Sequence, residues 1–292
     1  MRVITLEKKY SIWGWIFVAP ASLLIFVMSF YPMIQAFILS LQTGRGNNLK
    51  ITGLRNYIRL LEDEQFRTAV GNVFIYLIIQ VPIMLFMALI LASILNGQRL
   101  AFKGFFRTLV FLPCATGLVA GAIIFKSFFS VDGLVNMVLM RTGITAERVE
   151  WLTRPNLAKG IIILVITWRW TGYNTIFYMA ALQTIEKSIY EAARIDGASA
   201  IQQFFRITLP LLRPVILLTT IMSTNGTLQL FDEVRSMTNG GPGIATLTIS
   251  QYIYNLCFVY SPQFGYAAAV SYVILVMVAV LSFIQLKVGD RE

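Results

Sequence analysis

The sequence predicts an all-α, polytopic membrane protein of about six transmembrane helices, with a helical segment in one cytoplasmic loop. Three observations carry that prediction. Of 292 residues, 57% are apolar and 13% charged, where a soluble domain devotes about 25% of its residues to charge. Mean hydropathy is +0.71. Charge is excluded from long runs, among them Tyr10 to Gly44, Thr68 to Gln98 and Thr108 to Phe125, close to or above the roughly 20 residues a helix needs to cross the hydrocarbon core. Lipid gives backbone groups no water partner, so such runs fold as helices.

The first span is expected over 12–40, behind Arg2, Lys8 and Lys9. This start superficially resembles a signal peptide, but no small-residue cleavage pattern closes a short apolar core, so the span is read as retained. Pro20 and Pro32 interrupt it, and Pro82 interrupts the second span, 68–96. Proline removes an intrahelical bond and kinks a helix, a defect that membrane bundles tolerate. Curvature is the plain reading of these prolines and a moving hinge the alternative. Further spans are expected at 108–126, 158–182, 214–231 and 264–286. The chain divides into 1–67 (N-terminal segment, first span and outer loop), a core at 68–286 that includes the loop 186–213, and a tail at 287–292.

Orientation comes from the connections. The loop 97–107 holds Arg99, Lys103 and Arg107 with no acid, which argues for the cytoplasm. With six spans, both termini and the loop 183–213 share that side, in the inner or plasma membrane. Outside, 127–157 carries small polar and apolar residues from Val131 to Met140, then Trp151-Leu152-Thr153. A short interfacial helix anchored by Trp151 fits this loop, and so does a docking surface for an external partner. Thr238-Asn239-Gly240-Gly241-Pro242-Gly243 forms a tight connection in the last outer loop. Ile249 to Phe258 is too short for a span and is left as interfacial or re-entrant.

The loop EAARIDGASAIQQFFRITLPLLRP, Glu191 to Pro214, is mixed in polarity and lies between two apolar stretches. Glu191 opens a short helix, with Arg194 close enough for local pairing. Asp196 and Gly197 break it, glycine permitting positive φ and close approach. A second helical stretch displays Phe204, Phe205, Ile207 and Leu209, and Pro210 and Pro214 stop it. Exposed apolar surface of this kind suits burial in a protein groove, or else anchorage at a membrane interface.

At these residues the chain resembles the membrane-spanning subunits of type I ATP-binding-cassette importers, particularly the carbohydrate-uptake branch. The pattern is Glu191-Ala192-Ala193, three residues, Gly197, nine residues, then Ile207-x-Leu209-Pro210. The branch adds Asp196-Gly197-Ala198, Trp151-Leu152 before the fourth span, and Phe231-Asp232-Glu233 leading to Gly240-Gly241-Pro242. Asn239 departs from it, since the family often has glycine there. The resemblance spans roughly residues 10–290. It implies that the loop is a coupling helix docked in a separate ATPase, with roles for Glu191, Ala192, Ala193, Asp196, Gly197, Phe204, Ile207, Leu209 and Pro210. It implies further partners: a second permease subunit (a heterodimer being more typical), two ATPase subunits or domains that hold ATP and magnesium, an extracytoplasmic solute-binding protein, membrane lipid, and a sugar or related solute. This chain has no G-x-x-x-x-G-K phosphate cradle, so no ATPase site, cofactor or metal is expected in it.

Arg169 is the charged residue deep inside a predicted span, where a cation must face protein or a water-filled cavity. Arg169 and Tyr173 share a helix face, as do Trp170 and Asn174, and Asn225 and Gln229 are likewise four residues apart in the fifth span. Aromatic rings stack on sugars, and guanidinium and amide groups bond hydroxyls. These six residues are the candidate solute path, with cross-linking of helices as the alternative. If Arg169 pairs with solute, an acidic oligosaccharide or glycerol-phosphate-like compound is favoured over a neutral sugar; Asp232 or Glu233 would otherwise neutralise it. The net charge of +10 forms no continuous stripe, so nucleic acid is not a partner. The chain has no histidine and only two cysteines, Cys114 and Cys257, both in apolar surroundings, with no convergent set for enzymatic chemistry. A non-transport scaffold is the remaining alternative.

Overall fold

The computed structural model describes residues 6–45, 48–97 and 100–289. Two compact units emerge, one of residues 63–252 with 274–292, the other of residues 1–62 with 253–273. Arg99, one of the cations on which the expected orientation rests, lies outside the described residues, as do Arg2 and the last residues of the tail.

The larger unit is built on two long helices, Glu64–Asn96 and Pro155–Thr184. Asp63 starts the first by accepting from the Phe66 amide, which satisfies one of the orphan N–H groups of a helix start. Pro82 does not end this helix. Ala69, Ala88 and Ala92 along it are fully buried, and small residues of this kind let membrane helices approach closely. Val81, Met84, Leu85 and Leu89 pack there with Tyr178, Met179, Leu182 and Leu212 in one cluster.

Among the described residues, three helices are long and apolar enough to cross a membrane: Trp13–Ser40, Glu64–Asn96 and Phe264–Gly289. Two bent pairs raise the number to five, Lys103–Ala115 with Leu118–Phe128 at 97°, and Ala200–Leu211 with Arg213–Leu228 at 69°. The expected fourth span, 158–182, is a 30-residue helix, yet it falls short of this apolarity. Its polar residues are covered by protein rather than lipid. Arg169, Thr171, Asn174 and Thr175 are all buried, and Thr171 and Thr175 return their hydroxyls to carbonyls one turn back, at 2.6 and 2.7 Å. The third expected span is a broken one, and 249–258 is a short helix followed by a wide-turn segment rather than a span.

In the smaller unit, Leu6–Ile25, Phe26–Phe30 and Tyr31–Ser40 run on as one helical path. Pro20 leaves it intact. Just before Pro32 the register widens so that the Tyr31 amide donates to the Phe26 carbonyl, a bulge that accommodates a proline with no N–H of its own. An antiparallel hairpin, Gln42–Arg45 with Asn48–Ile51, interrupts the otherwise helical fold. Asn56 anchors it by donating to the Ser40 and Gln42 carbonyls, both at 2.8 Å. Arg59 lies 4.0 Å over the Tyr266 ring and donates to Gln263.

Candidate functional site: the polar centre and the knuckle

The six residues of the expected solute path divide by what their polar atoms do. Arg169 is buried, and its Nη1 donates to the Thr116 carbonyl at 2.6 Å and the Pro113 carbonyl at 3.4 Å. Its Nε is buried with no partner. Asn174 is buried as well, donating to the Trp170 carbonyl at 3.0 Å and to Met84 Sδ at 3.6 Å. Nη1 of Arg169 and the Asn174 amide are thus directed at protein atoms. Trp170 is half-buried against Tyr76, Ile166, Leu230 and Val234, and its ring meets that of Tyr173 edge-on at 5.7 Å. Tyr173 continues the aromatic row to Phe177 at 5.1 Å. Asn225 and Gln229 are exposed and bonded to each other.

Glu233 belongs with this centre. It is 4% exposed in Asp232–Met237. Burial pushes its carboxyl above the ordinary carboxylate range, while its own backbone amide, Arg169 and the Trp170 indole draw it back down. The sequence had offered Glu233 as one of two possible neutralisers of Arg169. It had not offered the carbonyls of Pro113 and Thr116, which lie more than fifty residues away.

The knuckle begins earlier than expected. Its helix is Lys187–Ile195, so Glu191 is central in it rather than first. Arg194 forms no ion pair with Glu191 among the described residues. Gly197 has φ +78°, the left-handed geometry that glycine adopts without penalty, and a Cβ there would meet nothing within 4 Å. Ser199 and Gln202 then form a reciprocal cap, Gln202 N to Ser199 Oγ and Ser199 N to Gln202 Oε1. Ala200–Gln203, Phe204–Thr208 and Leu209–Leu211 continue as one path. Ala193, Phe204, Ile207 and Leu209 are half-buried, whereas Glu191, Ala192, Asp196 and Pro210 are exposed. Among the large apolar side chains of the knuckle, exposure is greatest at Ile195, 87%, and Ile201, 71%, neither of which belongs to the motif.

The loop 127–157, expected to lie outside, contains a further device. Asn136 is 1% exposed; its amide donates to the Val131 and Val149 carbonyls, and its Oδ1 accepts from the Val149 amide and Trp151 Nε1. A short helix, Leu134–Arg141, lies within the segment 131–140 read either as an interfacial helix or as a docking surface, and Trp151 is held by protein. The Thr238–Gly243 turn places Asn239, Gly240 and Gly243 at positive φ. Asn239, where the resemblance expects glycine, takes φ 53° and accepts from Gln251 Nε2.

Residues 69–290 match the family of binding-protein-dependent transport system inner membrane components. The chain belongs to that family. It is a multi-pass inner-membrane permease of an ATP-binding-cassette importer that works with a solute-binding protein, and its task is transport rather than catalysis. The permease is 56% identical to the lactose transport system permease protein of Rhizobium radiobacter, over 96% of this chain and 95% of the relative. It is 34% identical to an arabinooligosaccharides transport system permease protein of Halalkalibacterium halodurans, over 99% and 93%. Among solved structures it is similar to a bacterial alginate importer in complex with its alginate pentasaccharide-bound periplasmic protein. There the TM-score is 0.86 at 25% identity, covering 98% and 96% of the two chains.

Proposed function

We propose that this permease passes a carbohydrate inward by alternating access and is driven at its inner knuckle by a separate ATPase. The observation that carries the reading is the knuckle itself. Ile189, Ile195, Ile201 and Phe205 are exposed there around a glycine turn, in a loop where polar side chains would be the neutral choice. Burial in a groove of the ATPase removes that apolar surface from water. Lys187–Ile195 is then the coupling helix. Glu191, Ala192, Ala193, Asp196, Gly197, Phe204, Ile207, Leu209 and Pro210 form its contact and its shape. Two such ATPases, bearing ATP and magnesium, act on a core of this chain and a second permease subunit, with both termini on the cytoplasmic side.

Of the path residues, Tyr173, Trp170, Asn225 and Gln229 are the stronger candidates for solute contact, because Arg169 and Asn174 direct donors to protein. The half-buried aromatic row suits sugar faces, and the amide pair suits hydroxyls. The lactose relative supports a saccharide as solute. A second reading, an acidic oligosaccharide, is supported more directly by the likeness to the importer of the acidic polysaccharide alginate. The test is uptake into vesicles containing the assembled transporter, with its binding protein loaded from a panel of neutral and uronate oligosaccharides. Uptake of neutral members alone excludes the acidic reading, and uptake of uronates alone excludes a neutral solute. Gly197→Trp should leave the permease core assembled and abolish stimulation of ATP hydrolysis; unchanged stimulation would refute the coupling role.

A further inference from the structure

Arg169 lies at the point where Lys103–Ala115 ends and the chain turns by 97° into Leu118–Phe128. The last carbonyls of a helix have no intrahelical donor and carry the negative end of its dipole. Nη1 of Arg169 supplies both a donor and a charge to two of them, those of Pro113 and Thr116. The second half of the broken span is held from the other side. Leu118–Phe128 packs on Asp232–Met237, where Met237 joins Ala122, Ile161 and Val165 in one buried cluster. Glu233 lies on that same short helix, where the next residue, Val234, packs in one cluster with Trp170, the residue after Arg169. A cation 9% exposed and a carboxyl 4% exposed therefore lie on the two elements that flank the break.

The pair is incompletely satisfied. Arg169 Nε is buried without an acceptor, and no ion pair joins Arg169 to Glu233 among the described residues. A static cross-link would be expected to close such a gap, since an unmet buried donor is costly. A part that works in two arrangements has to leave it open in one of them.

We propose that Arg169 and Glu233 are paired positioning residues, a buried charge latch that sets the angle of the broken span and so the rate of solute passage. The inference rests on the importer assignment and not on which solute is carried. In the arrangement described here, the guanidinium holds the carbonyls of the break. In the other, it turns toward the carboxylate, releases those carbonyls, and lets the outer half-helix Leu118–Phe128 move with Asp232–Met237.

The test uses the complete transporter in vesicles, with its own ATPases and loaded binding protein. Glu233→Gln removes the charge and keeps an acceptor for the Trp170 indole; Arg169→Met removes the cation and keeps most of the length. Each should lower maximal uptake about tenfold or more while the KM for loaded binding protein stays within about twofold. The double variant should be no slower than Arg169→Met alone, because coupled residues are non-additive. Ser236→Ala, on the same short helix and uncharged, is the neighbouring control and should behave as wild type. Additive losses, a change confined to KM, or wild-type uptake in Glu233→Gln would overturn the latch. Should Arg169→Met fail to assemble, Arg169→Lys replaces it. That variant must retain more uptake than Glu233→Gln, and the reverse order overturns the proposal. If wild-type vesicles take up no member of the sugar panel, the solute assignment falls. The latch is then read from stimulation of ATP hydrolysis by the binding protein.

Discussion

Gly172 offers the sharpest test of how the broken span is held. It lies three residues after Arg169 on the central helix, and a Cβ built there would sit 2.1 Å from the Val110 carbonyl oxygen and 3.1 Å from its carbon. Real Cβ atoms do not approach below 3.0 Å, so Gly172→Ala requires Lys103–Ala115 to retreat by roughly 1 Å, a gap large enough to forfeit much of the local dispersion contact. The obstacle is backbone rather than the tip of a flexible side chain, which places the cost near the upper end of overpacking, about 3 kcal/mol. At about 2–4 °C per kcal/mol for a chain of this size, the melting temperature should fall by about 6–12 °C. Gly160 lies in the same helix with nothing within 4 Å of its would-be Cβ, so Gly160→Ala should be neutral or gain up to about 1 kcal/mol from helix propensity. Thermal challenge of the purified complex, followed by size-exclusion recovery, measures both. If Gly172→Ala melts with wild type, or the two alanine variants shift alike, the close crossing of these helices is wrong. The crossing matters for function because the same approach brings the Pro113 carbonyl within reach of Arg169.

Asn136→Ala should cost about 2 kcal/mol or more, since buried partners are left unmet, and should open the loop 127–157 to trypsin at Arg148; unchanged proteolysis would count against the Asn136 staple. Ser199→Ala removes the reciprocal cap and about 1 kcal/mol of local helix stability, which should weaken ATPase stimulation without altering complex yield, as read by pull-down and hydrolysis side by side. Glu233 makes a prediction about pH. Its folded carboxyl is raised, so between the ordinary carboxylate value and the raised one the folded state binds more protons than the unfolded. Stability therefore falls as pH rises through the raised value. Arg169 and Asp232 are the charged groups acting on it. Glu233→Gln should abolish that component and melt at or above wild type at neutral pH, although it transports poorly; a matching loss of both would favour a purely structural role.

How much of this was legible in advance depends on how local the physics is. Glu64–Asn96 and Phe264–Gly289 were readable because lipid-facing spans must be apolar along most of their length. The helix at 155–184 was found for the opposite reason, an apolar first half, and its second half departs from lipid rules because neighbours cover it. The 97° break was missed. Pro113 and Gly117 are weak signals, and what stabilises the break is a guanidinium from a distant helix. Residues 42–51 read as a loop; the hairpin there draws its anchor from Asn56, again outside the segment. At the knuckle, the spacing from Glu191 to Pro210 was fully visible, while the prominence of Ile195 and Ile201 was not. Helical phase over so short a segment is set by where Gly197 turns the chain.

The knuckle and the polar centre lie on one mechanical path. The central helix ends at Thr184, and only Ile185 and Glu186 separate it from Lys187–Ile195. From Arg169 to Thr184 the rise is about 22 Å of continuous helix, with no proline or wide turn to absorb a displacement. On the return side, Tyr190 and Thr208 share a hydrogen bond at 3.0 Å across the knuckle. Leu212, 1% exposed, seats the following bend in the cluster of Leu85, Tyr178 and Leu182. Tyr178 then bonds Thr219 at 2.7 Å, tying the central helix to Arg213–Leu228. Under the proposed coupling, a displacement applied at Ile195 reaches both helices together. The broken span packs on the central helix beside Arg169, its two halves meeting at 97°, and is the element expected to yield.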